Sequence, residues 1–235
     1  TQKAKELVAG TVAKAALLEP LAEREVSVTP AALVIGGGIA GLEAALDIAD
    51  AGYRCTLVER QPSLGGRMAQ LNKTFPRMED AGALVVSEME RATHHPNVDI
   101  LAYSEVTGIE GYIGNFTATI RRNPRYVDPV KCTSCGKCAE ACVLAGQIAD
   151  EFQMGLGRRA AVYKLFPQAL PATYTVDPAH CLRLAGSGCA EEKPSCAAAC
   201  PEDAIDFHQA AQEVKVEVGS VVVATGYDPF NPERK

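Results

Sequence analysis

Apolar positions recur along the chain in several rhythms, and each predicts its own element. Leu7, Val8, Val12, Ala15 and Leu18 follow one face of a helix, so residues 1–30 are expected to form an amphipathic helix and an extended linker ending at Pro30. Ala32-Leu33-Val34-Ile35 is a short unbroken apolar run, the pattern of a strand buried on both faces. Helical spacing follows at once in Leu42, Ala45, Leu46 and Ala49. Tyr53 to Val58 then gives a second strand that ends in Glu59. Val98 to Ile113 reads as a strand pair, and Val214 to Val223 alternates before running apolar into Ala224-Thr225-Gly226. Strand, helix and strand in this order predict an α/β fold with a parallel sheet.

The longest apolar stretch, Ala32 to Ala49, carries Glu43, Asp47 and four glycines, so no membrane span is expected. Hydrophobic residues at 47% and charged residues at 22% are ordinary globular usage and exclude a disordered chain. A net charge of -6 argues against nucleic-acid binding, which needs a basic face. Lys3, Lys5, Glu6, Lys14 and Glu19 interrupt the N-terminal segment, so a secretory signal is not expected either, and the expected location is the cytoplasm. The absence of an initiating Met predicts a processed chain or a piece of a larger one.

Cysteine placement changes the picture most. Of nine Cys, eight lie between Cys132 and Cys200, and Cys55 stands apart. Cys132, Cys135, Cys138 and Cys142 are spaced C-x2-C-x2-C-x3-C, the run that supplies three thiolates to one [4Fe–4S] cube and a fourth to another. Cys181, Cys189, Cys196 and Cys200 follow as C-x7-C-x6-C-x3-C and end in Pro201. Their first gaps are long, but doubling a loop costs only about 0.6 kcal/mol. Ferredoxin wiring crosses the fourth ligands. Cluster one would then use Cys132, Cys135, Cys138 and Cys200, and cluster two Cys181, Cys189, Cys196 and Cys142. Val143 stands where a Pro is expected, a departure that touches no ligand. Zinc and disulfides are the alternatives: zinc sites usually show two C-x2-C knuckles, and disulfide frameworks suit small secreted domains.

Gly36-Gly37-Gly38-Ile39-Ala40-Gly41 follows the first strand directly and gives G-x-G-x-x-G at a strand–helix junction. Gly36 would make the tight turn, Gly38 would admit a pyrophosphate, and Gly41 would let helix and strand pack closely. Ile39 and Ala40 open the helix, whose N-terminal N–H groups favour phosphate. Glu59 ends the second strand close to the expected distance of about 20 residues, where a carboxylate accepts from ribose hydroxyls; Arg60 adjoins it. Two further segments favour FAD over NAD. Gly65-Gly66-Arg67 resembles the glycine doublet of flavoproteins, and Ala224-Thr225-Gly226 resembles the turn that returns the backbone to FAD in glutathione-reductase-like enzymes. In related flavoproteins the Ser104-Glu105-Val106 position lies against adenine, which makes Val106 a candidate backbone contact.

The remaining polar features read as structural. Cys55 sits among apolar neighbours and is expected to be a small core residue. His94-His95-Pro96 is expected to form a loop before a strand. His180 adjoins Cys181, but eight cysteines already fill both clusters. Arg121-Arg122 and Arg158-Arg159 are expected on the solvated surface.

Taken together, the residues resemble the family of heterodisulfide reductase A-subunits. The segments that carry the resemblance are ALVIGGGIAGLEAALDIADAG, LVERQPSLGGRMAQLNKTFP, HHPNVDILAYSEVTGIEGYIGNF, NPRYVDPVKCTSCGKCAEAC, GLGRRAAVYKLFPQALPATYTVD and EVGSVVVATGYDPF. Gly65 to Pro76 is far more specific than a generic flavin motif. The resemblance implies FAD, two [4Fe–4S] clusters and electron transfer to partner subunits; in complete members the flavin bifurcates electron pairs and a separate subunit reduces the heterodisulfide. Ferredoxin and hydrogenase- or dehydrogenase-type electron partners are implied as well. The chain is expected to depart from the family in three ways: it has no cysteines over Arg77 to Leu84, it begins without the family's N-terminal domain and stops at Lys235, and its spacing after Cys189 is stretched; a fragment or short relative is expected.

The expected architecture is α/β, a Rossmann-like FAD-binding domain with an inserted two-cluster ferredoxin-like domain. Residues 1–30 form the helix and linker, 31–125 the first part of the FAD domain, 126–209 the insert and 210–235 the return strand. The expected function is an oxidoreductase subunit passing electrons between FAD and the clusters. The alternative is a ferredoxin-like carrier or docking subunit whose flavin fold is structural. A pyridine-nucleotide oxidoreductase is less favoured because no second G-x-G-x-x-G appears.

Overall fold

The structure, a computed structural model, describes residues 1–19, 25–186, 188–189 and 194–228. Helix α1 (Gln2–Ala16) precedes β1 (Ala31–Ile35), α2 (Ile39–Asp50), β2 (Arg54–Glu59), a 3-10 turn (Gly66–Gln70), α3 (Ala81–His94) and β3 (Val98–Ala102). Strands β4 (Ser104–Tyr112) and β5 (Asn115–Arg122) follow, then the short elements α4 (Lys137–Glu140), β6 (Ile148–Ala149), β7 (Arg158–Arg159), β8 (Val162–Tyr163), β9 (Thr175–Val176) and α5 (Ser195–Ala199), and finally β10 (Gln212–Val218) and β11 (Ser220–Val223). Among the described residues no helix is long and apolar enough to cross a membrane.

A four-stranded parallel sheet, ordered β11-β1-β2-β3, forms the centre. The middle of β1 and the end of β2 are buried on both faces because both are covered there. Val34 and Leu57 turn toward α2 and α3, where Leu42, Leu46, Val85 and Met89 are fully or almost fully buried. Leu33 and Val58 turn the other way, onto Ala118, Ile120 and Val218 of an antiparallel sheet ordered β10-β5-β4. Burying each large side chain contributes about 1.5–3 kcal/mol, so this two-sided core fixes the edge where the glycine loop emerges.

Two strand expectations change in the structure. The Val98–Ile113 segment gives two strands that do not pair with each other: β3 joins the parallel sheet and β4 the antiparallel one. Tyr103, at φ +57°, makes the break between them. The return strand is likewise two strands. Alternating β10 pairs with β5, and apolar β11 pairs with β1, with Gly219 between them donating its N–H to the Ala31 carbonyl at 2.9 Å. The change from alternating to continuous apolarity marks the passage from the antiparallel sheet to the parallel one, at whose edge β11 lies partly exposed. Helix α1 forms as expected, but none of its residues is buried, and Leu7, Val8 and Val12 face solvent.

Residues between β5 and β10 have their own core, in which Val127, Ile148, Val162, Val176 and Ala204 pack with Cys138, Cys181 and Cys196. This unit is bound firmly to the central sheet's helical side. Phe166 enters the main core and stacks on Phe152, with ring centroids 4.9 Å apart. Leu64 N–H donates to the Leu170 carbonyl at 2.9 Å, and Leu170 N–H donates to Ser63 Oγ at 3.0 Å. Arg125, at the entry to the unit, donates to the Pro62 carbonyl and to Thr173 Oγ1. Burial lowers its pKa to about 10.

Candidate functional site

The glycine loop lies between β1 and α2, at the carboxyl end of the parallel sheet. Its three motif glycines have different physical reasons. Gly36 has φ +113°, and a Cβ there would lie 2.3 Å from the Ala224 carbonyl oxygen. A Cβ on Gly41 would lie 1.8 Å from the Gly36 carbonyl oxygen, so the close approach of helix and loop requires glycine. Gly38 is the exception: its backbone is ordinary, φ -77° and ψ -179°, and a Cβ there would meet only Gly66 Cα at 3.9 Å. The fold does not demand glycine at this position. What a Cβ would fill is a cleft, at the N-terminus of a helix that no side chain caps. Backbone amides and the helix dipole suit that space to an anion.

The cleft consists of two adjoining cavities of about 510 and 750 Å³, both reached by Gly36, Glu59, Arg60, Thr225 and Gly226. Gly38, Ile39, Ala40, Gly66, Arg67 and Ala224 line the first. Val106 lines the second, beside Ser104 and Glu105. Gly41 and Gly65 are among the expected binding residues but line neither; they serve the loop instead. Gly65 N–H donates to the Gly37 carbonyl at 2.8 Å, joining the glycine doublet to the glycine loop. Sequence reasoning missed part of the wall. Glu151, Phe152, Leu165 and Phe166 of the inserted unit face the first cavity, together with Gln61 and Ser63.

Glu59 is 6% exposed and does more than await a ribose. Its Oε2 accepts from Gly37 N–H at 2.6 Å and its Oε1 from Gln61 N–H at 2.7 Å. Burial raises its pKa, against the lowering effect of these backbone donors and of Arg60. Stability linked to a raised carboxylate is full below the unfolded pKa and is lost as pH rises through the folded one. Glu59→Gln should therefore flatten the pH dependence of thermal stability above the ordinary carboxylate range. The amide has one acceptor oxygen for two N–H donors, so it should also cost about 1–3 kcal/mol near neutral pH. An unchanged melting profile would refute this role. At the cleft's mouth Asp228 Oδ1 lies 3.4 Å from Arg67 and 3.6 Å from Arg60, an exposed and hence weak arrangement.

The eight clustered cysteines separate into two small cavities within the inserted unit. Cys132, Cys135, Cys138 and Cys200 line one, with Tyr174 and Pro201. Cys142, Cys181, Cys189 and Cys196 line the other, with Ala161 and Phe207. None of the nine cysteines is in a disulfide. Burial, then crowding by Cys132, Cys200 and Cys135, pushes the Cys138 thiol up to about 12. Burial, then Cys142, Cys189 and Cys181, pushes Cys196 up to about 11. Such thiols resist ionisation unless a bound metal centre compensates their charge. Among the described residues no group of three or more metal-ligating side chains closes on an ion.

The other candidates take structural places. Cys55 is fully buried, and burial raises its thiol to about 11, as a core residue should be. His94 ends α3, and His95 lies 3.2 Å from Asp50, apart from any cysteine cavity. His180 Nδ1 lies 2.8 Å from Asp177. Arg121 pairs with Glu105 at 2.9 Å on the surface, but Arg159 departs from expectation: its side chain is 10% exposed, pairing with Glu151 and Asp177 and lying over the Tyr163 ring.

The NAD(P)-binding Rossmann-like domain family matches residues 34–97, the segment from β1 to the start of β3. The iron-sulfur A-subunit of CoB–CoM heterodisulfide reductase from Methanocaldococcus jannaschii is 46% identical over the whole chain. The second such iron-sulfur A-subunit of Methanopyrus kandleri is 47% identical. The A-subunit of the H(2):CoB-CoM heterodisulfide,ferredoxin reductase from Methanothermobacter marburgensis is 43% identical. Each match covers 100% of this chain and 34% of the relative, so the chain spans about a third of these proteins' length. Along its whole length, this chain is similar to about a third of the heterodisulfide reductase A-subunits.

Proposed function

We propose that the chain is an electron-transfer segment of a cytoplasmic, heterodisulfide-reductase-like oxidoreductase, holding FAD in the two-part cleft and one [4Fe–4S] cluster in each cysteine cavity. The observation that carries this reading is the partition of eight cysteines into two sets of four, in the crossed arrangement of two-cluster ferredoxins. The inserted unit, residues 126–209, is then a ferredoxin-like domain within an FAD domain formed by 31–125 and 210–235.

FAD when bound would supply two-electron chemistry and the clusters one-electron chemistry, which together allow a pair of electrons to be divided. The chain's own residues bind and space these groups. Gly38 and the amides of Ile39 and Ala40 would receive the diphosphate, with Arg60 and Arg67 supplying positive charge. Glu59 would accept from the ribose with lone pairs left free by Gly37 and Gln61, and Val106 would meet the adenine. Phe152, Leu165 and Phe166 exclude water from the wall that the inserted unit shares with the cleft. Ser63, Leu64 and Leu170 hydrogen-bond the unit to the segment that leads into the cleft wall. Electron partners would be further subunits of the complex, and ferredoxin, hydrogenase- or dehydrogenase-type proteins. Division of electron pairs and heterodisulfide chemistry belong to that assembly.

Anaerobic purification followed by flavin release and metal analysis tests this reading. FAD near one per chain and iron about eight, from two cubes, are expected. Zinc without iron would overturn it. Full iron with no flavin band would favour a ferredoxin-like carrier whose flavin fold is structural. Glu59→Ala should weaken FAD binding by about 1.5–3 kcal/mol, the range for hydrogen bonds to charged groups, as read by titration of flavin-depleted protein.

A further inference from the structure

One short span connects the cleft to the first cysteine cavity. Leu165 and Phe166 line the cleft, and the residue before them, Lys164, donates from Nζ to Ser134 Oγ at 3.1 Å. Ser134 lies in the Cys132–Cys135 loop and lines the cysteine cavity. Lys164 is half-buried, and among the described residues it forms no ion pair with a carboxylate within 4.0 Å. A partly desolvated ammonium without an anion is costly, so its presence points to a negative charge supplied by something the loop carries.

The other charges near this cavity are placed differently. Lys131, Lys137 and Glu202 are exposed, where water screens them. Arg183 lines the second cavity, not the first. Asp128, half-buried beside Cys132, is already held by the Val130 and Lys131 amides, so Lys164 is the half-buried cation held against the first thiolate loop. Four thiolates around a cubane give a net negative centre, and reduction adds one more negative charge. A fixed cation held nearby favours the reduced form, and both charge and hydrogen bonding set cluster potentials.

We propose that Lys164 is a positioning residue that fixes the Cys132–Cys135 loop against the cleft wall and raises the reduction potential of the cluster in that cavity. This rests on the reading that the cavity holds a cluster. Its test is a potentiometric titration of the whole chain followed by electron paramagnetic resonance, with the first cluster's signal identified as the one lost in Cys135→Ala. Lys164→Met should lower that cluster's midpoint on the order of tenfold in its reduction equilibrium, which is 59 mV for one electron, and leave the second midpoint in place. Lys164→Arg should restore most of the shift, because the charge and a donor return. Ser134→Ala, which keeps the ammonium but frees it from the loop, should give a smaller shift in the same direction. An unshifted first midpoint in Lys164→Met at full iron content, or equal shifts of both clusters, would overturn the role of Lys164. If Lys164→Met loses iron, Lys164→Arg and Ser134→Ala decide: a near-parental first midpoint in Lys164→Arg with a smaller downward shift in Ser134→Ala supports the charge, and a full shift in Lys164→Arg or no shift in Ser134→Ala overturns it. Lack of iron in the parent chain would instead remove the reading beneath the proposal, and the proposal with it.

Discussion

Cys200→Ala should abolish the same paramagnetic signal as Cys135→Ala, while Cys142→Ala and Cys189→Ala should share the other. Sequence proximity argues the opposite, because Cys196 lies four positions before Cys200 and Cys138 four before Cys142. The local structure explains the crossing. Cys138 lies within α4 and Cys196 within α5, but Cys142 and Cys200 lie just past the ends of those helices. Cys200, the C-cap of α5, is already extended at φ -77° and ψ 112°, so it no longer shares the helix face of Cys196. Helices α4 and α5 pack together, and each therefore delivers its last cysteine across to the other's cavity. Losing one thiolate of four should cost the cluster it serves, taking iron from about eight to about four per chain. The second cluster should be the more labile in air, because longer loops around Cys189 must be ordered. Should Cys200→Ala and Cys189→Ala remove one signal while the Cys132 set keeps its own, the crossed wiring is wrong.

The parts of this arrangement that local chemistry dictates were legible in the residues. A strand, a glycine turn and a helix need few partners to declare themselves, so β1, α2 and β2 lie where periodicity puts them. The two- and three-residue gaps of the cysteine run carry their own geometry. What was not legible depends on distant contacts. Nothing in Val214–Val223 alone says that its two halves serve different sheets; Gly219 and the pairing with β5 and β1 decide that. Phe152 and Phe166 read as ordinary apolar residues until their stacking brings the inserted unit to the cleft. Arg159 resembles a surface charge because its partners, Glu151 and Asp177, are 8 and 18 positions away. Glu59 was legible as a ribose ligand, yet its bond to Gly37 was not, since it needs the loop folded back over β2.

Gly38→Val should remove flavin binding almost entirely while the chain keeps its fold, a loss of at least about a hundredfold in affinity, or roughly 3 kcal/mol. The contrast with its neighbours makes the prediction sharp. At Gly41 a side chain would drive into the Gly36 carbonyl, and at Gly36 into that of Ala224, so substitution there should unfold the loop and lose binding through stability. At Gly38 the backbone is one that any residue adopts, and the nearest atom to an added Cβ is Gly66 Cα at 3.9 Å. Val would therefore fit the protein and exclude the ligand, because its methyl groups would stand in the space beside the uncapped start of α2. Thermal denaturation of the flavin-depleted protein should be nearly the same for Gly38→Val and the parent, and flavin titration should separate them. Full flavin occupancy in Gly38→Val would mean that the diphosphate does not approach the loop here, and the assignment of the cleft would fail with it. A large loss of stability without ligand would show instead that the fold, not the cofactor, requires glycine at this position.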